Sequence, residues 1–182
     1  MQSLPAGPGR SLFADERAAR QAVGMALPLI EKAMQDKAVG ESGFLHIVVL
    51  DPAAQWGVDD FADAILYEYS VGDRSRWDAD YAAFARAKAR VCWRTGRDGH
   101  GVRSVSPHLL RTDDCGIWGG VCVDGIVVGA AGANPWYDEA FAACVAHCLK
   151  AVAKGRAVQA PERPWLAPEP SAARAARDGG GG

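Results

Sequence analysis

Two β-prone runs, residues 116–123 and 126–130, are separated by nothing but Asp124-Gly125. An Asp-Gly pair supplies the two left-handed residues that the tightest hairpin turn needs. The chain between Gly116 and Ala130 is therefore committed to two antiparallel strands. Small residues follow at once, Gly129-Ala130-Ala131-Gly132-Ala133-Asn134-Pro135, and lead into a helix expected from Trp136 to about Lys154. Phe141, Val145, Cys148 and Val152 give that helix its apolar stripe. Asp138 and Glu139 lie in its first turn, where acids suit the positive helix end.

The remaining elements must complete a sheet around this hairpin. Residues 43–52 form a near-continuous apolar strand, a pattern expected of burial on both faces. Residues 64–71 read as a second strand, although Asp59, Asp60 and Asp63 ahead of it also allow a short helical turn. A helix is expected from Leu12 to about Lys37 on the spacing of Val23, Leu27, Ile30 and Met34, with Pro28 kinking or breaking it. Another runs from Asp78-Ala79-Asp80 to about Thr95, with Tyr81, Phe84, Lys88 and Val91 on one face. Residues 96–101 read as a loop, and residues 105–110 as a short helix or turn opened by Ser106-Pro107. Helices bracketing antiparallel strands make the class α+β, with a single sheet covered by helices. Residues 1–11 are expected to be irregular, residues 12–155 to form the domain, and residues 156–182, rich in Pro, Ala and Gly, to be a disordered tail.

Charge narrows the range of partners. Twenty basic against 22 acidic residues leave a net charge of −2, without the one-sided basic excess of nucleic-acid binders. No apolar run approaches the ~20 residues that span a bilayer, and the first residues lack a secretory signal, so a cytoplasmic protein is expected. Five cysteines without a CxxC pair read as small buried hydrophobes. Cys144, His147 and Cys148 share one turn but lack the second ligand pair a metal site needs.

Candidate chemistry gathers at the small-residue turn. Its accessible backbone and the helix start at Pro135 could receive an anionic ligand group, while Asp138 and Glu139 already supply negative charge there. Asp138, Glu139 and Arg94, with Arg97, form a candidate acid–base or anion-clamping set. Glu68 and Tyr69 are further candidates. Trp56, Trp77 and Trp93 could mark interfaces if the chain is a non-catalytic assembly subunit.

Residues 124–140, through the run Gly129-Ala130-Ala131-Gly132-Ala133-Asn134-Pro135-Trp136-Tyr137-Asp138, resemble the signature of the GlcG/HbpS-like family, which includes the C-terminal domain of PduO-type proteins. Ala87-Lys88-Ala89 resembles that family's Lys-Ala helix, and residues 45–51 its first strand, so the likeness extends over about residues 20–154. Ala131 stands where the family has a loop serine, and Ala133 where it has a glycine. The resemblance implies a GlcG/PduO-like α+β domain with about five antiparallel strands, assembled as a homo-oligomer and binding a small-molecule ligand. The ligand-binding candidates are then Lys88, Gly129, Gly132, Asn134, Trp136, Tyr137 and Asp138. Haem is the ligand the family implies, and His46, His100, His108 and His147 are its axial candidates. The alternatives are an enzyme acting on a small organic acid or aromatic, and a structural subunit.

Overall fold

The structure, a computed structural model, describes residues 10–160. Residues 1–9 of the expected irregular N-terminus and residues 161–182 of the expected tail lie outside the described residues.

Asp15 caps the first helix, α1 (Glu16–Ala33), by accepting from the Ala18 amide at 2.8 Å. Pro28 lies inside this helix without breaking it, which corrects the expected interruption. Pro28 and Gly24 are both exposed, so water can take the carbonyl that the proline leaves without a donor. Strand β1 (Leu45–Leu50) follows, then a single helical turn, α2 (Phe61–Ala64), running straight into β2 (Ile65–Val71). Both readings of the acidic stretch are thus realised in succession.

Helix α3 (Tyr81–Thr95) is capped by Asp80, whose carboxylate accepts from the Ala83 amide, and ends at Gly96 in the left-handed conformation. Its sheet-facing stripe is Ala85, Ala89 and Cys92, whereas Phe84 is exposed. The expected face was displaced because α3 lies so close to the sheet that only small residues fit there. Residues expected as a loop include the start of α4 (Gly99–Val105), a correction, and a 3-10 turn (Pro107–Leu109) follows. The hairpin is β3 (Gly120–Val123) and β4 (Ile126–Ala131), joined at Asp124 (φ +49°) and Gly125 (φ +85°), as the Asp-Gly pair requires. Residues 116–119, expected in the first of these strands, are irregular, a correction. Helix α5 (Pro135–Gln159) closes the described chain and runs beyond the expected end near Lys154, so residues 156–159, expected in the disordered tail, are helical, a correction.

The sheet has the order β2-β1-β4-β3 with every neighbouring pair antiparallel. Four strands are present among the described residues, against the five or so that the resemblance implies. Alternation along the strands sends Ile47, Val49, Val128 and Ala130 towards α1 and α5, and Val48, Leu50, Val127 and Ala131 towards α3. All six residues of β1 are buried, because helices cover both faces at the centre of the sheet. Among the described residues, no helix is long and apolar enough to cross a membrane.

Candidate functional site

Gly129 determines how α3 meets the sheet. A Cβ built on it would lie 2.3 Å from the Ala85 carbonyl oxygen and 2.9 Å from the Ala89 Cβ, so helix and strand touch backbone to backbone. That approach carries Lys88 to the end of β4, where its Nζ donates to the Ala130 carbonyl at 3.1 Å and to Asp138 Oδ2 at 2.7 Å. Asp138 comes from the other direction, in the first turn of α5. Its Oδ1 accepts from the Ala133 amide at 2.9 Å. The turn between β4 and α5 is pinned by Asn134, whose side chain donates to the Ala38 carbonyl and whose amide donates to that of Val39. Gly132, at φ +139°, passes so near Phe44 that a Cβ would sit 2.0 Å from its carbonyl oxygen.

The outcome is an ion pair between residues 50 apart in sequence, with side chains only 3% and 1% exposed. Burial pushes the Asp138 carboxyl up to about 6, against the pull of Lys88 and of the Ala133 and Gly132 amides. Ion pairs this deep return little net stability for the desolvation they cost. A carboxyl shifted by burial beside a specific charge partner is, by contrast, a mark of functional sites.

A strap, residues 110–119, closes over the pair. Gly119 (φ +137°) seals it: a Cβ there would lie 2.6 Å from the Asp138 Cβ and 2.8 Å from Lys88 Nζ. Arg94 clasps the strap, donating to the Leu109 carbonyl at 2.8 Å and to the Asp114 carboxylate, which also accepts from the Arg111 amide. Beneath the strap a cavity of about 10 Å³ is lined by Lys88, Val91, Arg103, Leu110 and Trp118, with Cys115 beside them. That is room for one water molecule.

Lys88 and Asp138 are thus brought together, and the wider acid–base set is not. Glu139 turns to the start of α4, where it accepts from the His100 amide, and burial raises its carboxyl despite the nearby His100. Its Oε2 is buried without a partner among the described residues. Arg94 is engaged by the strap, and Arg97 donates to Ser106 at 2.8 Å. Trp136 stands exposed, and Tyr137 stacks on Phe141. Trp56, offered as an interface marker, is 40% exposed and packs edge-on against Trp93, whose indole donates to the Ala54 carbonyl.

The four histidines lie apart, and no group of three or more potential metal ligands forms among the described residues. His46 is buried in β1 opposite Ser70. Its Nδ1 meets Ser70 Oγ at 2.9 Å and its Nε2 meets Glu68 at 3.4 Å, and Arg86 grips the Glu68 carboxylate with two bonds. Trp77 stands edge-on to its ring. Burial holds the ring below its ordinary 6.5, with Arg74 and Arg86 adding to the effect and Glu68 opposing it. Below that pH the unfolded chain takes the proton before the folded one, so stability falls as pH falls. Substituting His46→Gln is expected to flatten the decline in urea midpoint from pH 7 to pH 5. An unchanged slope would show that His46 does not contribute to it.

Sequence reasoning missed the strap itself and Arg103. Only Gly119-Gly120 after Trp118, and one lysine within an alanine-rich helix, hinted at a sealed polar contact.

No protein-family profile matches the chain. No curated protein matches it in sequence. Among solved structures it is similar to the Klebsiella pneumoniae protein ORFY, described under the family DUF336, with a TM-score of 0.50 and 18% identity. The match covers 82% of this chain and 99% of that one. At that identity the likeness is one of fold, and it places this chain among α+β domains built on one antiparallel sheet flanked by helices.

Proposed function

We propose that the protein is a GlcG/HbpS-like small-ligand-binding domain whose site is the Lys88–Asp138 pair beneath the 110–119 strap. The observation that supports this reading is the pair itself, an ion pair buried to a few per cent exposure where apolar side chains would pack at no loss of stability. A ligand reaches it when the strap lifts off the Arg94 clasp. A catalytic role for Asp138 is the second reading, favoured by its carboxyl near 6, which can exchange a proton close to neutral pH. The homo-oligomeric assembly implied by the resemblance belongs to the same proposal, and light scattering of the purified protein tests it. A monomer would remove it.

Haem fits these residues poorly. His46 has both ring nitrogens engaged and Trp77 against its edge. His100 opens on a polar cleft with Arg97, Asp98 and Glu139, and His108 and His147 are exposed. An axial ligand needs a free ring nitrogen facing an apolar slot. Hemin titration is therefore expected to give no saturable Soret shift beyond that of a control protein. A one-per-chain band lost in one of the four His→Ala variants would restore haem as the ligand.

The site itself is tested by amide NMR with a set of small acids, amides and amines. Shifts converging on Lys88, Leu110 and the strap support it. Shifts confined to the cleft at Glu139, or none at all, would sink it.

A further inference from the structure

The cavity under the strap has an uneven charge. Lys88 and Arg103 both line it, and none of the side chains around it is acidic. Asp138 lies behind Lys88 and is already engaged by it. Lys88 commits two of its three donors among the described residues, to Asp138 and to the Ala130 carbonyl. Arg103 forms no salt bridge among the described residues; its guanidinium lies over the Trp118 ring, 5.2 Å from the centroid. The walls are otherwise apolar, made by Val91, Leu110, Ile117 and Trp118, with Ile117 also exposed to solvent.

Resting on the site proposed above, we infer that the ligand is a small carboxylate carried on an apolar body, and that Arg103 is the residue that recognises its charge. The enclosed space admits a group about the size of one water. A carboxylate head, with three heavy atoms, is larger than that, so it enters only as the strap lifts, and the planar guanidinium then meets its two oxygens with two parallel donors. The remainder of the molecule stays at the mouth, against Trp118 and Ile117. A cationic head would meet Arg103 and Lys88 with like charge, and a neutral amide would leave Arg103 without a counter-charge. Arg103 is exposed on α4 and holds no other element in place through a salt bridge, so its removal changes recognition with little effect on folding.

Benzoate, benzamide and benzylamine test the inference on the full chain, followed by the amide signals of Leu110 and residues 115–120. Benzoate is expected to shift them saturably, at least about tenfold more tightly than benzamide, and benzylamine not at all. Arg103→Gln is expected to abolish the preference for benzoate while leaving the Tm unchanged. Equal binding of benzoate and benzamide, or an unaltered preference in Arg103→Gln, would overturn the charge assignment and leave the site standing. Silence at the strap with all three probes would bring down both the inference and the site on which it rests.

Discussion

Lys88→Met is expected to lower the unfolding free energy by about 3–5 kcal/mol at pH 8, the penalty for stranding a buried charge. Methionine fills much of the lysine stem's volume, so packing loss adds little. The Asp138 carboxylate then keeps only the backbone donors of the turn. With Lys88 gone, its carboxyl rises further above about 6, because the largest opposing influence on burial is removed. The sign of the pH dependence follows. A carboxyl whose folded value lies above its unfolded 3.8 supplies stability that is present below 3.8 and is lost as pH rises through the folded value. The Lys88→Met deficit must therefore shrink on acidification, as Asp138 becomes neutral.

Urea denaturation of wild type and Lys88→Met at pH 8 and pH 5 reads this directly. Adding Asp138→Asn to Lys88→Met removes the stranded charge and preserves an acceptor for the Ala133 amide. The double variant is expected to be more stable than Lys88→Met at pH 8. Equal midpoints for wild type and Lys88→Met, or a deficit that does not change with pH, would show that the pair is not a buried ionic contact.

Gly132→Ala is expected to cost about 2–5 kcal/mol, combining backbone strain with an unrelieved overlap. At φ +139° the residue occupies a region that only glycine enters freely, and the added Cβ would lie 2.0 Å from the Phe44 carbonyl and 2.8 Å from the Leu45 Cα. Neither neighbour is a side chain that can swing away. Gly129→Ala belongs to the same class, since its Cβ would meet the Ala85 carbonyl at 2.3 Å. The two differ in what moves: Gly129→Ala pushes α3, and with it Lys88, away from β4, whereas Gly132→Ala distorts the turn that carries Asp138.

Gly24→Ala is the internal control. It lies inside α1 with nothing within 4 Å of its Cβ, and alanine there is expected to be neutral or to stabilise by about 0.5–1 kcal/mol. Thermal and urea unfolding of the three variants should separate them into one harmless and two severe substitutions. A mild Gly132→Ala would mean that the turn relaxes without penalty and that its geometry does not hold Asp138 in place.

The same residues show how far local sequence reaches. Asp124-Gly125 was sufficient to specify the hairpin, because the left-handed conformation of both residues is a local property that no tertiary contact needs to supply. The continuous apolar run of β1 announced its burial on both faces, and the acids at 78–80 marked the start of α3, whereas α1 begins only after the Asp15 cap and not at the expected Leu12. Pro28 misled because its consequence depends on exposure, and the solvent-facing side of α1 tolerates the lost bond. Phe84 misled because apolar periodicity favours the bulkiest residues, while the contact with Gly129 required the smallest.

The candidate site divides along the same line. Asp138 was legible as an acid at a helix start, but Lys88 only through the family resemblance, because its alternation with alanines and arginines reads as a solvated helix face. Their pairing was not, since a contact across 50 residues depends on the distance between α3 and β4 and on the turn into α5. The strap was still less legible, for its irregular backbone has no periodicity and is held by Arg94 and Asp114 across the gap between elements. By itself the sequence determined the hairpin turn, the buried central strand and the starts of α3 and α5, because those follow from backbone preference and solvent over a few residues. The tertiary structure alone decided which charges meet, which are sealed and which remain unpaired, because burial and electrostatic partnership are properties of packing between distant segments.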